Sequence, residues 1–188
     1  MDSKDTPSQS ESELLSIDAE DLLEKTKVTE AEASQFSQEM IIEPAEEYTP
    51  ARRESLAQRI AKMNLPQKIR LALLGNQEVR ALLIHDPNRV IPLAILRNAR
   101  LTENEILTFT QMKNIPEEFL LTIARHKSWV KNYLIKVALV NNPRTPLSTS
   151  LKFLDHLHDK DLQHLRKNRN VSSILAQSAA RLLIKRMG

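Results

Sequence analysis

Three histidines and three aspartates fall within the ten residues DHLHDKDLQH, Asp155 to His164. Imidazole nitrogens and carboxylate oxygens together are the ligand set of zinc and related divalent ions, so this stretch is where metal chemistry would be sought first. The spacing argues against it. His156 and His158 stand two apart and on a helix point to different sides, whereas a helical ligand pair needs i, i+4 spacing. No metal site is assigned, and the histidines are read as turn and surface residues that cap and hydrogen-bond.

Other chemistries lack their parts. Phosphate-cradling loops need clustered glycines, and the two glycines here, Gly75 and Gly188, stand alone. There is no cysteine and no G-x-S-x-G elbow to present a nucleophile to a base. No catalytic or cofactor-binding residue is assigned, and the chain is read as a non-enzyme that needs no cofactor.

The elements that must position any surface come next. Two glycines and an aromatic content of 4% in 188 residues disfavour a β architecture, whose turns use glycine and whose strands use aromatic and β-branched residues. The fold class is all-α. No apolar run approaches the roughly 18 residues of a membrane span, the N-terminus lacks a signal-like pattern, and the absence of cysteine suits a reducing compartment, so a cytoplasmic location is expected.

A net charge of +3 conceals two electrostatic objects. Residues 1–50 hold 14 Asp or Glu against 3 Lys or Arg, net −11, while the other 138 residues hold 24 basic and 10 acidic groups, net +14. The first stretch is read as an acidic, mostly disordered arm, because it has few large apolar residues to offset the entropy of ordering. Its one amphipathic segment, residues 12–25, gathers Leu14, Leu15, Leu22 and Leu23 near one side and predicts a helix able to dock in a groove.

Residues 51–188 are read as one basic helical domain. The markers MNLP, IHDP, KNIP, VNNP and KNRN end at 66, 87, 116, 143 and 170, in steps of 21, 29, 27 and 27 residues. A period in this range marks stacked repeats, each too small to bury its apolar face alone. Asn caps helices and tolerates unusual backbone angles, and Pro suits a first helical turn, so each marker opens a helix. A second break falls within each period. The expected helices are 52–63, 66–74, 77–84, 88–97, 103–112, 116–125, 128–140, 145–155, 159–166 and 171–186, and LTENE carries the capping-box pattern Thr102 with Glu105.

Paired short helices with Asn-Pro turns over Arg52 to Lys185 resemble HEAT-like repeats and the leucine-rich repeat variant group. More narrowly, the run SWVKNYLIKVALVNNPRTPLSTSLKFLDHLHDKDLQHLRKNRNV is similar to a family of uncharacterised bacterial HEAT-like proteins whose pattern includes W-x-K-x-Y-x-x-K-x-A-L-x-x-N-P-x-x-P. The matching residues are Trp129, Lys131, Tyr133, Lys136, Ala138, Leu139, Asn142, Pro143 and Pro146. The resemblance implies a short α-solenoid of stacked helix pairs and no particular activity.

On a continuous helix Trp129 and Tyr133 lie one turn apart and aim both rings at one surface. Packing between repeats and anchoring a partner both suit such a pair. The candidate partner-binding residues are Trp129, Lys131, Tyr133 and Lys136, with Lys127 beside them and the basic run Arg166, Lys167 and Arg169. A helical-repeat domain of net +14 is expected to bind an anionic partner. The favoured partner is an acidic or amphipathic protein segment, with the chain's own acidic arm as a competitor, and the alternative is a nucleic-acid backbone held by phosphate contacts.

Overall fold

The computed structural model of the chain describes residues 34–43 and 49–187. Among these residues the protein is all-α, with eleven α-helices, one 3-10 helix and no strand. The helices are α1 Gln38–Ile41, α2 Pro50–Ala61, α3 Leu65–Leu74, α4 Gln77–Leu83, α5 Val90–Ile95 and α6 Glu103–Gln111. There follow α7 Glu117–Arg125, the 3-10 turn Trp129–Lys131, α8 Tyr133–Asn141, α9 Leu147–Leu154, α10 Asp159–Lys167 and α11 Ser173–Met187. Each helix expected between residues 52 and 186 is present with ends moved by no more than two residues, except 128–140, which is split. The helix expected at 12–25 lies outside the described residues.

Local chemistry explains the helix starts. Thr102 and Glu105 form the capping box expected of LTENE, the Glu105 N–H donating to the Thr102 hydroxyl at 3.3 Å and the Thr102 N–H to the Glu105 carboxylate at 3.1 Å. Asn64 and Gln67 form a second box at α3. The helices α7 and α9 instead begin after Pro116 and Pro146, with no side-chain cap.

Two compact units divide the chain, Met1–Arg100 and Leu101–Gly188. In the first, α3 packs on α1, α4 and α5, α4 also packs on α2 and α5, and Leu56, Leu71, Val79, Ile91 and Ile95 are fully buried. The tight joint of α3 with α4 is at Gly75, where an added Cβ would sit 2.5 Å from the Leu71 carbonyl oxygen and 2.6 Å from Val79 Cγ1. Glycine is there because there is no room for a side chain, its φ being an ordinary −59°.

Residues 34–43, which charge alone assigns to the acidic arm, are built into this unit. Met40 is fully buried, and Asn76 donates its two side-chain N–H groups to the carbonyls of Glu39 at 2.8 Å and Ile42 at 2.9 Å. Glu39 pairs with Arg59 at 3.1 Å and Arg52 at 3.6 Å, and Glu43 pairs with Arg80 at 3.3 Å. Acidic residues of this stretch thus meet basic residues of α2 and α4, while Phe36 and Met40 supply the apolar contact.

In the second unit α8 packs on α6 and α9, and α11 packs on α9 and α10. Val140, Leu154, Leu157, Leu162, Leu165, Leu175, Ala179 and Leu183 form one buried cluster. Phe109 and Phe119 meet edge to face with ring centres 6.3 Å apart.

One polar device recurs in both units. The Asn98 side chain donates to the carbonyls of Ala72 and Gly75, both at 3.0 Å, and accepts the Arg100 N–H at 2.9 Å. Asn142 repeats this, donating to Thr110 at 2.6 Å and Met112 at 2.9 Å and accepting from the Arg144 N–H at 2.9 Å. The carbonyls it satisfies are the orphans at the end of an earlier helix. Expected as caps and turn formers, these asparagines also tie successive helix pairs together.

Candidate functional site

Trp129 and Tyr133 do not share a helix. Asn132, with ψ 120°, ends the 3-10 turn and caps α8 by accepting the Leu134 N–H at 3.0 Å, so the expected common surface is divided. The half-buried Trp129 stacks on His126 with centroids 3.8 Å apart and planes inclined by 23°. Tyr133 turns to the start of α10 and packs on His158 with centroids 4.3 Å apart. Its hydroxyl donates to the Asp161 carboxylate and accepts the His158 N–H at 2.9 Å. Burial, and after it the hydrogen bond to Asp161, raise the phenol above its ordinary value of 10.0.

The basic candidates are differently placed. Lys127, Lys131, Arg166, Lys167 and Arg169 are exposed and Lys136 is half-buried, and none forms an ion pair among the described residues. Arg186 is otherwise engaged: it donates to the carbonyls of Leu157 and Asp155, each at 2.8 Å, and pairs with Asp159 at 2.8 Å. Within 155–164, His158 and Asp161 are thus engaged by Tyr133, and Asp159 and the Asp155 carbonyl by Arg186, and among the described residues no group of three or more His, Asp or Glu gathers as a metal set.

Two features of this unit were not read from the sequence. A groove of about 280 Å³ runs between α6 and α8 with an apolar floor of Leu107, Leu134, Val137 and Ala138, and with Lys113 and Asn141 at its edge. Leu134, in the first turn of α8, is 57% exposed. The signal lay in the run YLIKVALVN, which is apolar nearly all round and so does not tell which face stays open. The second feature is a cleft of about 330 Å³ beside the Asn142 turn, lined by Arg144, Thr145, Ser150 and Ser172 among others.

Among the described residues of Met1–Arg100 the carboxylate displaced from its ordinary value is Glu78, which is 4% exposed. Both its oxygens are sealed from solvent without a hydrogen-bond partner, and the Arg52 Nε lies 3.3 Å away, itself also without one. Burial raises Glu78 above its ordinary value of 4.5, against the pull of Arg52. A raised carboxylate in an open cleft would suggest acid-base chemistry. Sealed oxygens reach no substrate, so Glu78 belongs to the contact between α4, α2 and the 34–43 segment.

Among the described residues no helix is long and apolar enough to cross a membrane. No protein-family pattern, curated protein or solved structure matches the chain.

Proposed function

We propose that the chain is a non-enzymatic interaction module of the HEAT-like α-solenoid type, whose basic surface in residues 101–188 binds an acidic or amphipathic segment of a partner protein. The observation that carries this reading is the set of cations, Lys127, Lys131, Lys136, Arg166, Lys167 and Arg169, that have no ion-pair partner within the described residues. Uncompensated cations attract an anionic partner and speed its encounter. The neighbouring apolar groove with Leu134 suits the greasy side of an amphipathic helix. Support for the repeat reading comes from the recurrence of one hydrogen-bonding device at Asn98 and Asn142. The arm of net −11 is the chain's own competitor for that surface, and a reducing, cytoplasmic setting suits a chain without cysteine.

The test is titration of the full chain with a synthetic acidic amphipathic peptide copying residues 12–25. Reversing charge in the double variant Lys131→Glu, Lys136→Glu should weaken binding at least tenfold. Equal affinity in the variant defeats the proposal. Random duplex DNA serves as the rival ligand: DNA binding that falls steeply with salt, with no peptide binding, would favour the nucleic-acid alternative.

A further inference from the structure

Two kinds of contact hold residues 34–43 on the first unit. One is between backbone carbonyls of the stretch and neutral or permanently charged donors. Asn76 donates its backbone N–H to the Met40 carbonyl at 2.9 Å and its side-chain N–H groups to the carbonyls of Glu39 and Ile42, and Arg100 donates to the Ile41 carbonyl at 2.6 Å. The other depends on carboxylate charge. The Arg52 Nε lies 3.6 Å from the Glu39 carboxylate and 3.3 Å from the Glu78 carboxylate, so one guanidinium of α2 serves an anion of the stretch and an anion of α4 together.

This shared arrangement leaves groups unsatisfied. Both Glu78 oxygens and the Arg52 Nε are sealed from solvent without a hydrogen-bond partner. An ionised carboxylate in such a place is costly, and a second anion beside it adds repulsion. Burial first, and with it the charge of Glu39, favour the neutral form of Glu78, against the pull of Arg52 and Arg53 of α2. Of the other elements packed on α4, α5 carries no charged residue, and neither Lys68 nor Arg70 of α3 is among the charges acting on Glu78.

We propose that residues 34–43 form a proton-dependent latch, which holds to α2 and α4 while Glu78 is neutral and loosens as Glu78 ionises. With Glu78 neutral, Arg52 pairs with Glu39 alone and the stretch meets no repulsion from α4. With Glu78 ionised, opening takes Glu39 away and leaves Arg52 to Glu78. The closed form therefore holds the Glu78 proton more tightly than the open form, and by linkage a rise in pH that removes this proton favours opening. Glu43 stands outside the balance: it pairs with Arg80 at 3.3 Å, accepts the Gln77 N–H at 2.9 Å, and is not among the charges acting on Glu78.

Amide hydrogen exchange of the full chain tests the latch at the Asn76 N–H, whose bond to Met40 crosses the contact. After correction for the intrinsic pH dependence of exchange, protection at Asn76 should fall by about threefold or more between about pH 5 and 8. Glu78→Gln should hold protection high across the range, and Glu39→Gln should flatten the slope. Glu43→Gln should lower protection throughout and keep the slope. Protection at Asn76 should also stay below that of the buried Ala72 in α3, since the latch opens without the unit unfolding. Wild-type protection that is constant with pH, a slope unchanged in Glu78→Gln, or equal protection at Asn76 and Ala72 overturns the latch. Glu39 is 43% exposed, so Glu39→Gln folds whatever the fate of Glu78→Gln, and an unchanged slope in that variant overturns the proposal as well.

Discussion

The Asn142 side-chain nitrogen lies 2.6 Å from the carbonyl oxygen of Thr110, a residue 32 positions earlier in the chain. The bond joins the end of α6 to the turn that follows α8, and its partner to Met112 closes the same gap at 2.9 Å. Because Asn142 is buried, replacing it by Leu takes the side-chain donor away from two carbonyls at the end of α6. Asn142→Leu should cost about 3 kcal/mol, whereas Asn168→Leu should cost about 1 kcal/mol, because Asn168 is only part-buried and donates to one side-chain oxygen, Asn141 Oδ1 at 3.0 Å. Chemical denaturation of both variants checks the order, and equal losses would contradict the tie proposed for Asn142.

Met40 measures how far the acidic stretch belongs to the folded unit. It is fully buried, so Met40→Ala should lower stability by about 3 kcal/mol. Thermal unfolding of the full chain gives the answer, and an unchanged midpoint would mean that residues 34–43 do not contribute to folding.

Glu78 has a worked sign. Its carboxyl is raised in the folded chain, so the native state holds more protons than the unfolded one between the ordinary value of 4.5 and the raised one. The stability it contributes is fully present below 4.5 and is lost as pH rises through the folded value. Glu78→Gln removes a buried charge and should stabilise the protein at pH 7 by about 1 kcal/mol, raising Tm by roughly 3 °C. It should also flatten the fall in stability above pH 4.5, which melting curves across pH 4 to 8 would reveal.

Tyr133→Phe removes a donor to a carboxylate and the acceptor of the His158 N–H, and should cost about 2 kcal/mol. A double-mutant cycle with Asp161→Asn isolates the pair, and a coupling near zero would show that the hydroxyl acts alone.

Much of this protein was legible in its chain. Helix positions followed from capping signals such as Thr102 with Glu105 and from Asn-Pro turns, because a cap and the helix it opens are neighbours in sequence. The split at Asn132 was hidden, since the apolar periodicity continues across it while the Asn side chain bonds its own backbone two residues on. The surfaces were legible as charge but not as shape. That Leu134 stays open while Ile135 is buried depends on which neighbour covers which face.

By itself the sequence determined an all-helical fold, the places where helices begin, and the separation of acidic from basic charge, all of which rest on local propensity and composition. Tertiary structure alone decided that Glu39 and Glu43 of the acidic stretch meet Arg52, Arg59 and Arg80, that Tyr133 spends its hydroxyl on Asp161, and that the Thr145 hydroxyl is buried without a hydrogen-bond partner. Those outcomes join residues distant along the chain, and packing, which no local pattern encodes, sets which of them meet.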